Sequence, residues 1–237
     1  MKFECQKCGQ CCKDFGGGFL PLWEWEADKL KKLAEKNNIV LNLEPLSMLF
    51  DKRSRLAFSI QIKLSQEPCP FLVNNRCSIY EERPLVCRCF PLAETPLFKL
   101  KGERTDLSSF GKCPNLDAKN FLRELGAGND VPISLKKKDM IRKYKDVFGE
   151  EMFISAFQMD NIKAFVDYTM DNLIKNKKIK LRKISEFDYN KYTAYPFLEF
   201  LVKAKLMSED MKAKMIDSFI DKKRAEDLIN AVENDTI

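Results

Sequence analysis

The chain has 237 residues, 45% hydrophobic and 32% charged, the proportions of a globular protein whose core needs no covalent staples. It has a formal charge of +6 and no histidine, which excludes Ser-His and Cys-His nucleophile systems and imidazole-ligated metals. Nine cysteines, an odd number, fit poorly with full disulfide pairing.

In chain order, the first feature is "CQKCGQCC", which places Cys5, Cys8, Cys11 and Cys12 within eight positions. "GGGFLPL" follows as a flexible turn and a short extended piece; its glycines do not fit a G-x-G-x-x-G nucleotide loop. "WEWEADKLKKLAEKN" reads as a helix, acidic early and basic late, as the macrodipole prefers. "SRLAFSIQIKL" alternates apolar and polar residues at Leu56, Phe58, Ile60, Ile62 and Leu64, which predicts a half-buried strand. Asn74-Asn75 predicts a tight turn between Cys69 and Cys77. "YEERPLVCRCFP" predicts a short helical turn between Pro84 and Pro91, and "LFKLKG" a further strand before Cys113.

Beyond Cys113 there is no cysteine. Ile162, Phe165, Val166, Met170 and Leu173 recur at helical spacing, as do Met211, Met215 and Phe219. Phe187, Tyr189, Tyr192, Tyr195, Phe197 and Phe200 read as an aromatic core cluster. The lysine-rich runs "LKKKDMIRKYK" and "KNKKIKLRK" read as solvated faces or loops. The expected class is α+β. A cysteine-rich region of short strands and helices, residues 1–115, precedes a mainly helical region, residues 116–237, packed on it.

"MKFECQK" has no apolar signal core, and no stretch reaches the ~18 apolar residues of a membrane helix. The expected compartment is the cytoplasm, where thiols stay reduced and are free to bind metal. If eight cysteines hold two divalent ions as thiolates, the charge falls to about +2, which removes most of the case for a nucleic-acid partner.

Cys5, Cys8 and Cys11 are spaced C-x2-C-x2-C, as around one [4Fe–4S] cluster, and Cys69-Pro70 and Cys113-Pro114 supply Cys-Pro pairs. Neighbouring side chains tend to diverge, so Cys12 is expected to serve a second metal or to be a buried thiol. Cys69, Cys77, Cys87 and Cys89 are spaced more loosely, as in zinc sites drawn from several loops. The spacing leaves an iron–sulfur cluster, which is favoured, and zinc both open. Cys87 and Cys89 point apart whether the C-x-C segment is extended or helical, so they are not expected to share an ion. Arg83 and Arg88 flank this group and would offset the charge of a thiolate site. Closing the long loop between the two groups is expected to couple metal binding to folding of the first half, including the segment around Leu56.

The two ordered blocks, "CQKCGQCC" and "CPFLVNNRCSIYEERPLVCRCFP", resemble the CxxCxxCC cysteine-cluster family, described as zinc- or iron-chelating and including the flagellin lysine N-methylases. The resemblance runs from about Phe3 to Pro114. It implies Cys5, Cys8, Cys11, Cys12, Cys69, Cys77 and Cys87 as metal ligands, with Cys113 matching a later cysteine less closely. Cys89 falls at a variable position and departs from the pattern. By resemblance alone, the chain could also be a protein-lysine methyltransferase using S-adenosylmethionine on a protein substrate. A third reading is a metal-handling protein with a metal-accepting partner.

Overall fold

The computed structural model describes residues 2–15, 18–92, 113, 137–183 and 191–234, and in it the chain alternates short strands with helices as an α+β protein. The strands are β1 (Leu20–Leu22), β2 (Leu43–Asp51), β3 (Leu56–Leu64), β4 (Leu72–Val73), β5 (Arg76–Cys77), β6 (Leu181–Lys183) and β7 (Ala194–Pro196). The helices before the middle of the chain are α1 (Gln10–Lys13), α2 (Glu24–Lys36) and α3 (Leu85–Cys89). After it come α4 (Lys137–Phe148), α5 (Glu150–Lys175), α6 (Phe197–Lys203), α7 (Glu209–Ile220) and α8 (Lys222–Glu233). A 3-10 turn spans Tyr80–Glu82.

The chain divides into two compact units, each assembled from separated segments. One takes residues 1–18, 67–161 and 221–237; the other takes residues 19–66 and 162–220. All nine cysteines fall in the first.

The second unit is built on a sheet in the order β1-β3-β2-β6, with β7 pairing β3 in parallel. The alternating run around Leu56 is its central strand. β3 is antiparallel to β2, with Phe58 opposite Leu49, and to β1, with Leu64 opposite Leu20. Phe58 and Leu64 are fully buried; Phe58 stacks on Phe200 at 4.1 Å and meets Phe197 at 6.0 Å. The helix expected from "WEWEADKLKKLAEKN" forms as α2. Glu26 accepts the Trp23 N–H at 3.1 Å, and Ala27, Leu30, Leu33 and Ala34 form its buried face.

The first unit centres on an apolar cluster that includes Phe3, Cys89, Ile141, Tyr144, Phe153, Phe157 and Ile229. The lysine-rich run "LKKKDMIRKYK" supplies most of α4, whose Met140, Ile141, Tyr144, Val147 and Phe148 turn inward while Arg142 and Lys143 are exposed.

Some expectations change. β2 lacks clean alternation, because Pro45 lies within it and Ser47 sits at a φ of 60°. The end of "KNKKIKLRK" is strand β6, which pairs with β2 at Leu49–Asp51 and is therefore more than a solvated loop. Met211 is exposed, while Met215 and Phe219 are half-buried. "LFKLKG", Phe187 and Tyr189 lie outside the described residues.

Candidate metal centre

Three local elements bring the thiols of the first unit together. Asn74 and Asn75, at φ of 50° and 60°, make the tight turn of the β4–β5 hairpin and set Leu72 opposite Cys77. Gly9, at a φ of 72°, starts the single helical turn α1, which carries Cys11 and Cys12. The Cys69 N–H then donates to the Cys12 carbonyl at 2.7 Å, tying that turn to the hairpin segment. Pro84 opens α3, which carries Cys87 and Cys89.

Cys12 is the centre of this arrangement. Its thiol is in hydrogen-bond contact with those of Cys11, Cys69 and Cys77. Adjacent Cys11 and Cys12 sit together on the helical turn that follows Gly9, and their thiols act on each other. The four thiols are shifted unequally. The bond from Cys12 lowers Cys77 to about 6, outweighing burial, with help from the Ile79 N–H and Arg83. The same kind of bond lowers Cys11 to about 7, with Arg83 assisting, and lowers Cys69 with the Phe71 N–H assisting. Cys12 itself is raised, first by its contact with Cys11 and then by those with Cys69 and Cys77.

Cys87 stands beside this group. Burial raises its thiol well above the ordinary value, and the nearby sulfurs of Cys69, Cys11 and Cys77 raise it further. Arg83 is the counter-charge: it acts on Cys11, Cys77 and Cys87 and reaches the Cys87 carbonyl at 3.5 Å. Its guanidinium lies 3.6 Å over the Tyr80 ring, and the Lys7 ammonium 4.3 Å from the same ring.

The remaining cysteines lie elsewhere. Cys5 is exposed and hydrogen-bonds Tyr80; Cys8 is exposed. Cys89 is buried in the apolar cluster, with its thiol 3.5 Å from the Val86 carbonyl, and half-buried Cys113 packs against that cluster. Arg88 lies on the wall of a neighbouring cleft.

Among the described residues, no group of three or more His, Cys, Asp or Glu side chains already surrounds a common point as a finished metal site. The thiols of Cys11, Cys12, Cys69 and Cys77 instead act on one another. The donor set nevertheless fits a thiophilic ion. All its side-chain donors are sulfur, backbone N–H groups of Phe71 and Ile79 point at Cys69 and Cys77, and Arg83 offsets thiolate charge.

Sequence reading missed Gly9 and Tyr80. The signal for Gly9 was its place between Cys8 and the Cys11-Cys12 pair, where the chain must turn sharply. The signal for Tyr80 was its place at the end of the block R-C-S-I-Y, three residues before Arg83.

Residues 4–114, a little under half of the chain, match the family model CxxCxxCC, described as "Putative zinc- or iron-chelating domain". No curated protein and no solved structure matches the chain.

Proposed function

We propose, taking residues 4–114 as a CxxCxxCC domain, that the first unit chelates a metal ion through Cys11, Cys12, Cys69 and Cys77, with Cys87 as an adjoining thiol. The observation that carries this reading is the contact of one thiol, Cys12, with three others drawn from two distant chain segments. In a tetrahedral thiolate site with metal–sulfur bonds of about 2.3 Å, the sulfurs stand roughly 3.8 Å apart, close to hydrogen-bonding range for sulfur. An ion would bind these sulfurs as thiolates, and their protons would leave on binding. This supports a single zinc or iron ion held as a structural or redox centre.

A second reading is a [4Fe–4S] cluster that also draws on Cys5 and Cys8. The C-x2-C-x2-C spacing favours it, although the thiols must then spread apart around a larger group. Metal and acid-labile sulfide analysis of anaerobically purified protein, with a visible spectrum, separates the two. One zinc or iron per chain without sulfide is the expected result. Brown protein containing sulfide supports the cluster reading, and protein that retains no metal when purified without chelator contradicts both.

A further inference from the structure

We propose that a cleft of about 500 Å³ in the cysteine-bearing unit binds a small zwitterion with an apolar body, about the size of a dipeptide. The cleft lies between the cysteine segments and the helical part of the same unit, walled by Cys5, Tyr80, Arg83 and Arg88 on one side and the start of α5 on the other. Its volume is within the roughly 300–1,000 Å³ of small-molecule sites. Phe3, Phe148, Met152 and Ile154 contribute apolar lining.

The charges select the ligand. Arg83, Arg88 and Lys222 share the lining with Glu81, Glu150 and Glu151, so it is neutral overall and suits neither a polyanion nor a polycation. Most of these charges are already engaged. Lys222 pairs with Glu151 at 3.1 Å, Glu150 lies 3.6 Å from Lys145, and Arg83 is held over Tyr80. The side chains of Arg88 and Glu81 have no ion-pair partner among the described residues. A lone anion could pair only with Arg88, and a lone cation only with Glu81. A molecule carrying both a carboxylate and an ammonium satisfies both, with its apolar body against the aromatic lining. The proposal does not depend on which metal the thiols hold. However, Cys5, Tyr80 and Arg83 border the cleft while Arg83 also acts on the thiol group, so an occupant would sit against the centre's own counter-charge.

Calorimetric titration of the full chain with L-phenylalanyl-L-leucine tests this, with N-acetyl-phenylalanyl-leucine and phenylalanyl-leucine amide as probes lacking one charge each. The free dipeptide should bind at least about tenfold more tightly than either blocked form. Arg88→Gln should weaken the dipeptide by about tenfold but leave the amide form unchanged, and Glu81→Gln should do the same relative to the acetylated form. Both side chains are exposed, so melting curves should match the parent and show that folding is intact. No heat with the dipeptide at about 5 mM, equal binding of dipeptide and acetylated dipeptide, or binding indifferent to both substitutions would each overturn the proposal.

Discussion

At Gly9, a Cβ would stand 2.5 Å from the Asn75 carbonyl oxygen and 2.8 Å from Leu72 Cδ1, on a backbone already at a φ of 72°. The obstruction is partly main chain, so the hairpin turn itself would have to move. Gly9→Ala should therefore cost about 2–4 kcal/mol and lower metal content, because the same turn aims Cys11 and Cys12. Denaturant unfolding and metal analysis of the variant check this; unchanged values would mean that the turn relaxes at no cost. Cys87 and Cys89 offer a second residue-scale test. Cys87 adjoins the thiol group, whereas Cys89 faces the apolar cluster with its thiol on the Val86 carbonyl. Cys87→Ser should lower metal occupancy, while Cys89→Ser should leave occupancy near the parent value and act on stability, by about 1 kcal/mol. Equal metal loss in the two variants would make Cys89 a ligand.

At the scale of elements, Asp51 shows how the β2–β3 turn and β6 are joined. Its carboxylate is 1% exposed and accepts the Lys180 N–H at 2.7 Å, the Arg53 N–H at 3.2 Å, and the Ser54 N–H and hydroxyl at 2.9 and 2.7 Å. Burial pushes its pKa up, but these donors together outweigh burial and hold it below the ordinary 3.8. A carboxylate lowered in the folded state contributes stability that is complete above its unfolded pKa and lost as pH falls through the folded one. Asp51→Asn should thus cost about 2–3 kcal/mol near neutrality, with the difference from the parent shrinking as pH falls below about 4. Chemical unfolding of both proteins across that range measures it; a difference independent of pH would assign the loss to geometry alone. The same region marks what the sequence could reveal. β3 was legible because Leu56 to Leu64 alternate, and α2 because acidic residues open it and a lysine closes it. β2 and β6 were not: Pro45 and Ser47 interrupt one, and the three residues of the other are strand through their pairing with Leu49–Asp51. The cysteine blocks were legible as chelators from their spacing. Which thiols converge was not, because it depends on the αL turn at Gly9 and on the Cys12–Cys69 backbone bond, and both are settled by tertiary contact.

At the scale of the whole molecule, the division into two units separates the thiols from the sheet. The segment around Leu56 lies in the unit without cysteines, so metal loss should reach the two units unequally. Hydrogen exchange should show amides between Cys69 and Ile79 speeding up by about tenfold or more when the protein is stripped by chelator, with β3 amides little changed. Uniform loss of protection across both would mean that the chain unfolds as one cooperative body. No helix among the described residues is long and apolar enough to cross a membrane.

The first unit also imposes an order of events on the chain as it is made. Its core joins Phe3 and Cys89 to Ala225 and Ile229, and α8 is the last helix described. Ribosomes add roughly 5–20 residues per second, so the thiols of the two cysteine blocks emerge several seconds or more before the helix that completes their unit. During that interval the hairpin, the Gly9 turn and Arg83 are all present, while the apolar cluster beneath them lacks one wall. An ion captured then would close the loop between Cys12 and Cys69 ahead of the core, and would act as a template for the helices that follow. A nascent chain that met no metal would instead carry a row of reduced thiols and an incomplete apolar cluster until α8 arrived.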